Sequence, residues 1–174
     1  MLLIIDQAID RIGGTFVYYL IALLVFVVDQ VTKWLIVKYL DIGDVRSVIG
    51  DFFSITSQRN NGAAFSILEG QRWFFLVVTS IVIVGIIWYM NKIKTSGTRL
   101  QLIALGLILG GAVGNYLDRA LFGEVVDFLS FHFAFINYTF ATFNIADSGI
   151  VCGAILMMFD LFRTSRKEKE SVTE

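Results

Sequence analysis

Four stretches of mostly apolar residues recur along the chain, each close to the roughly 20 residues that a helix needs to cross a bilayer. They run over about 12–28, 73–90, 100–117 and 146–162, the last with Asp147 at one end and Asp160 at the other. Between the spans the pattern shortens. Residues 45–48 and 52–58 read as strands around a Gly50-Asp51 turn, with Phe53, Ile55 and Ser57 alternating with Ser54, Thr56 and Gln58. A second β-like piece covers 124–130. The pattern predicts an all-α polytopic membrane protein, a single membrane-embedded domain over 1–174. It would have four transmembrane helices and a small extramembrane β segment, about 40–68, on the outer face. Gly106, Gly110 and Gly114, four apart in the third span, predict close helix packing through a small-residue stripe.

Composition sharpens this picture. Hydrophobic residues make up 56% and charged ones 17%, and the net charge of −1 gives no reason to expect a nucleic-acid partner. One cysteine, Cys152, and one histidine, His132, exclude a disulfide framework and a His/Cys metal cage, so neither metal nor cofactor is expected. Orientation follows from basic residues in short loops. The connection 91–99 carries Lys92, Lys94 and Arg99, and the tail after the fourth span carries Arg163, Arg166, Lys167 and Lys169. The five basic residues between the first two spans are matched by five acidic ones, so they carry little weight. Both termini are therefore expected in the cytoplasm, with 163–174 a disordered tail. The first segment lacks a basic start and a small-residue cleavage site, so the first span is expected to be retained.

With that topology, polar residues gather at three outer span ends: Asp29 and Lys33, then Asn115, Asp118 and Arg119, then Asn144 and Asp147. Ionisable residues at that depth point to function. Each has a plainer reading beside it. Asp29 and Lys33 stand one helical turn apart, as in many weak exposed pairs, and Arg119 adjoins Asp118. Arg59-Asn60-Asn61-Gly62 reads as a turn, and Asp147 as an N-cap. The inner ends carry Asp10, Asn91 and Asp160, each beside basic residues that would pair with them. Asp127 and Asp147 are joined by an aromatic-rich loop long enough to fold back. Two adjacent carboxylates share a proton, which permits acid–base attack by water on an amide without metal or histidine. A proton-coupled transporter would place acids at mid-bilayer, where the second and third spans have none. A serine protease would need a base for Ser148 or Ser66, and no lysine or histidine motif adjoins either. A lipid-binding scaffold would need neither Asp127 nor Asp147.

Five motifs occur in order: Asp29-Gln30-Val31-Thr32-Lys33, Arg59-Asn60-Asn61-Gly62-Ala63-Ala64-Phe65, Gly114-Asn115-Tyr116-Leu117-Asp118-Arg119, Val126-Asp127-Phe128 and Phe143-Asn144-Ile145-Ala146-Asp147. Together with the four spans they resemble the bacterial lipoprotein signal peptidases over about 18–162. The resemblance implies an enzyme of the bacterial cytoplasmic membrane. It would cleave diacylglyceryl-modified prolipoproteins just before the lipidated cysteine, amid membrane lipids, and be inhibited by the cyclic depsipeptide globomycin. It implies that Asp127 and Asp147 are the catalytic pair, and that Asn61, Asn115, Arg119 and Asn144 bind substrate or brace that pair. Asp29, Lys33 and Asp118 would support the site. Ala141 departs from a proline found in many members, which implies a less rigid loop there.

Overall fold

Residues 2–62 and 68–173 are described by the computed structural model, with side chains for 16–62 and 68–166. Ala63–Phe65 of the second motif, and Ser66, lie outside the described residues. Four long helices follow the four apolar stretches: α1 (Leu2–Tyr39), α2 (Arg72–Ile93), α3 (Arg99–Phe122) and α4 (Ile145–Thr173). Each has a segment long and apolar enough to cross a membrane, namely Phe16–Tyr39, Arg72–Ile93, Arg99–Phe122 and Ile145–Arg166.

The first span is displaced from its expected position. It does not stop near Val28 but continues helically through Asp29 and Lys33 to Tyr39. The reason is a division of faces. Val31, Trp34, Val37 and Tyr39 are about half exposed, as lipid-facing residues are in a protein without its bilayer, while Asp29 and Lys33 are buried. Lys38 lies over the Trp34 ring at 4.7 Å, an aromatic and basic pairing suited to a membrane interface. The charged residues after Phe162, expected as a disordered tail, continue α4 as helix to Thr173. They are mostly helix-favouring Lys, Glu and Arg.

α3 is the central helix and packs against the other three. Its N-terminus is closed by a capping box in which the Thr98 side chain accepts from Gln101 N. The glycine stripe explains the approach of α1. A Cβ on Gly106 would stand 2.7 Å from the carbonyl oxygen of Tyr18, and one on Gly114 2.6 Å from Asp29 Oδ2. A second set, absent from the expected stripe, seats α4: a Cβ on Gly153 would come within 2.6 Å of the Ala104 carbonyl. At the end of the bundle away from the sheet, Ala22, Met90, Ile93, Leu102, Leu105 and Leu109 form the hydrophobic core. Asp160 is buried there too and accepts from Thr98 Oγ1 at 2.8 Å; among the described residues it pairs with no basic side chain.

A four-stranded antiparallel sheet, in the order β1 (Val45–Ile49), β2 (Phe53–Asn60), β3 (Val125–Phe133), β4 (Tyr138–Thr139), covers one end of the bundle. It is assembled from both long loops: β1 and β2 come from the expected β segment of 40–68, and β3 from the β-like piece read at 124–130, which runs on to Phe133 and turns into β4. The alternation read along β2 does not survive a bulge between Ile55 and Gln58, where Thr56 and Ser57 are both buried. Arg59 and Asn60, read as part of a turn, end this strand, and the bend begins at Asn61.

Candidate active site

Asp127 is delivered by β3 and Asp147 by the first turn of α4. The loop between them folds back as its length allowed. Phe143 bridges to Leu129, its carbonyl accepting from Leu129 N at 2.8 Å. The next residue, Asn144, precedes α4 and forms a reciprocal cap with Asp147. Asn144 Oδ1 accepts from Asp147 N at 2.9 Å, and Asp147 Oδ2 accepts from Asn144 N at 3.1 Å. The cap role read for Asp147 therefore belongs to Asn144, with Asp147 its partner three residues on. Asn144 is fully buried, and its Nδ2 donates to Asp127 Oδ1 at 2.7 Å, so one residue holds both carboxylates.

Asn60 Nδ2 donates to the other Asp127 oxygen, Oδ2, at 2.9 Å, while Asn60 Oδ1 accepts from Gly62 N at 3.0 Å. Sheet register puts it there. Gln58 pairs with Asp127 and Asn60 with Val125, so Asn60 is the diagonal neighbour of Asp127 on one face. The expected contributor, Asn61, is exposed and does not line the cavity. Strand parity would have separated the two asparagines, but the turn reading of 59–62 hid it.

Beneath the carboxylates lies a cluster with almost no exposure. Lys33 Nζ donates to Asn115 Oδ1 at 2.8 Å and stands in ion-pair contact with Asp29 Oδ2 at 2.8 Å and Asp118 Oδ2 at 2.7 Å. Asp29 and Lys33 are thus not the exposed pair that their spacing allowed, and Asp118 pairs with Lys33 rather than with adjacent Arg119. Asp29 Oδ1 also accepts from Ala146 N at 2.9 Å, satisfying an early amide of α4. Gln30, not singled out in the sequence, donates to Asp118 Oδ1 at 2.9 Å. The cluster acts on the carboxylates through Asn115. With its oxygen held by Lys33, the Asn115 amide can only turn Nδ2 outward, and it donates to Asp147 Oδ1 at 2.8 Å. Arg119 donates from Nη2 to the Gly62 carbonyl at 2.8 Å and lies 4.8 Å over the Phe75 ring, tying the end of β2 to α2 and α3.

Asp127 and Asp147 line a cavity of about 620 Å³. Asn60, Asn115 and Arg119 share its polar end; Phe75 of α2 and Ile150, Val151 and Cys152 of α4 form an apolar wall among the membrane spans. Asp29, Lys33 and Asp118 lie outside it. Burial pushes the Asp127 carboxyl up to about 6; the Asn60 donor opposes this, and the neighbouring Asp147 charge reinforces it. A carboxyl that titrates near neutrality beside a second one can serve as acid or base. Among the described residues no group of three or more His, Cys, Asp or Glu is placed to hold a metal ion.

The comparisons with known proteins agree with this architecture. A family profile described as signal peptidase (SPase) II matches residues 21–163. The lipoprotein signal peptidase of Bacillus subtilis (strain 168) is 48% identical over 153 residues, covering 88% of this chain and 97% of that protein. That of Bacillus pumilus (strain SAFR-032) is 50% identical over 156 residues, covering 90% and 99%. A bacterial membrane enzyme structure determined by the in meso method at 2.3 Å resolution superposes with a TM-score of 0.80 at 39% identity, over 88% of this chain and 92% of that one. With the profile spanning most of the chain and relatives near half identical over almost their whole length, the chain belongs to the signal peptidase II family.

Proposed function

We propose that this membrane aspartic peptidase removes the signal peptide from diacylglyceryl-modified prolipoproteins, with Asp127 and Asp147 as its catalytic pair. The observation that carries the reading is the placement of two carboxylates, both held by Asn144, at the polar end of a cavity whose other wall is apolar and belongs to membrane spans. A signal helix and acyl chains would lie along Phe75, Ile150 and Val151, presenting the amide before the lipidated cysteine to the carboxylates. Asp147, oriented by Asn115 and Asn144, takes a proton from water as the water attacks the carbonyl carbon. Asp127 donates its proton to the carbonyl oxygen; as the C–N bond breaks, Asp147 passes the proton it took from water to the leaving nitrogen and Asp127 takes one back from a hydroxyl of the diol, which restores the pair. A bound substrate buries Asp127 further, which favours its protonated form at the start of the cycle. Asn60 and Asn144 hold Asp127 in place. Arg119 keeps the end of β2 over the cavity, and its remaining donors are available to substrate carbonyls or to globomycin in the same space.

The basic residues of the α2–α3 connection support a cytoplasmic location for that loop and for both termini. The cavity would then face outward from the bacterial cytoplasmic membrane. A reporter inserted between Asn91 and Arg99 should read as cytoplasmic; an external reading would put the site on the wrong side. The direct test is cleavage by purified protein of a diacylglyceryl-modified prolipoprotein against its unlipidated form. Cleavage of the lipidated form alone is expected, and equal rates would mean that the apolar wall recognises no acyl chain.

Asn60 gives a sharper check on the acid–base account. Its amide favours the ionised form of Asp127, so Asn60→Ala should raise that carboxyl further. The basic limb of kcat/KM, which reports loss of the pair's last proton, should move to higher pH, whereas Asn61→Ala should leave it in place. An unmoved limb in Asn60→Ala would remove Asp127 from the titration that limits activity.

A further inference from the structure

The sheet end farthest from Asp127 is apolar in a way that peptide cleavage does not use. From Phe128 to Phe143 the chain contains six phenylalanines and one tyrosine but no Asp, Glu, Lys or Arg. Part of this segment turns inward: Phe128 is buried, and Phe131 stacks on Phe53 at 4.8 Å and on Phe143 at 5.9 Å. The tip between β3 and β4 turns outward, with Phe135 84% and Ile136 59% exposed. Phe133 joins it to the neighbouring β1–β2 tip, its ring lying 6.1 Å from Phe135 and 5.8 Å from Phe52. Ile49 on that second tip is also exposed. Two hairpin tips therefore form one continuous apolar rim, separated from Asp127 by six residues of extended strand, roughly 20 Å.

An exposed rim of this kind marks contact with another apolar body. Continuity with the membrane spans says which body. Nine residues after Ile136 the same uncharged segment becomes α4, which places the rim within roughly 30 Å of the end of a span by chain length alone. The Leu129–Phe143 bridge folds that segment back and shortens the distance. Asp51 at the β1–β2 turn is the only fixed charge between Ile49 and Phe53. Aromatic residues with Asn, Thr and His among them match the headgroup boundary, where ring faces meet acyl chains and polar edges meet water.

We propose that this rim docks on the lipid surface on the side of the membrane that holds the cavity, with Phe135 and Ile136 at the headgroup–acyl boundary. The sheet then lies along the bilayer, and the height of Asp127 above the acyl chains is set at both ends of β3. This proposal needs the four spans but not the peptidase chemistry, so the two can fail separately.

The test places a photoreactive benzoylphenylalanine at Phe135 or at Ile136 in the full chain, reconstituted in phosphatidylethanolamine–phosphatidylglycerol vesicles. Val77, exposed on α2, is the lipid-facing reference. After irradiation, mass spectrometry should find phospholipid adducts at 135 and 136 as at 77. Adducts confined to a second copy of the chain would make the rim a self-association surface and overturn the proposal. So would an absence of lipid adducts at both tip positions while position 77 yields them.

Discussion

Asp127→Asn and Asp147→Asn should each abolish cleavage of lipidated prolipoprotein, with rate losses on the order of 10²–10⁴ or more, because each removes one partner of the acid–base cycle. The hydrogen-bond map also predicts how the variants will behave as proteins. Both oxygens of Asp127 accept from amide donors, Asn144 Nδ2 and Asn60 Nδ2, and both oxygens of Asp147 accept from Asn115 Nδ2 and Asn144 N. An asparagine in either place turns one acceptor into a donor facing a donor. Asn60 cannot relieve the conflict by flipping without losing its bond from Gly62 N. A stability loss of about 1–3 kcal/mol is expected from one mismatched buried group, so folding must be verified by thermal unfolding in detergent. Since the two carboxyls act as a unit, the double variant should be little slower than either single one. A folded Asn variant that cleaves at near wild-type rate would end the aspartic mechanism.

Lys33→Met should produce the largest loss of stability of any single substitution near the site. The Lys33, Asp29 and Asp118 side chains are at most 5% exposed, so solvent screens the cluster little. Removing the cation leaves two carboxylates facing an apolar side chain. Breaking a buried pair in this way costs about 3–5 kcal/mol. At roughly 2–4 °C per kcal/mol for a chain of this size, the unfolding midpoint should fall by on the order of 10 °C. Activity should fall as well, because the Asn115 amide loses the contact that turns its donor to Asp147. Adding Asp29→Asn and Asp118→Asn to Lys33→Met should recover part of the stability, since no charge is then stranded, without restoring the Asn115 orientation. A Lys33→Met protein as stable and active as wild type would mean that the cluster neither holds the helices nor orients Asn115.

The positions of these residues were legible in the chain to different degrees. Apolar runs marked all four spans because lipid tolerates little else over that length. The α1 boundary was misplaced because inward-facing Asp29, Gln30 and Lys33 lower the average of a segment whose other face is apolar. Local spacing showed that Asp29 and Lys33 share a helix face, but not that a third helix brings Asp118 and Asn115 against them and buries the set. Asn60 and Asn61 are adjacent and chemically identical in sequence. Only the pairing of β2 with β3 selects Asn60, and a bulge upstream breaks the simple alternation that would have revealed it.

By itself the sequence determined the membrane class, the number of spans and the end of the bundle where polar residues collect, because hydropathy and loop charge are local and additive properties. Motif order along the chain also determined the family. Tertiary structure decided which side-chain amide meets each carboxyl oxygen of Asp127, and that Asp29 and Lys33 are buried against α3 and α4. Those outcomes depend on contacts between residues 17 to 117 positions apart, and no local propensity encodes where distant segments meet.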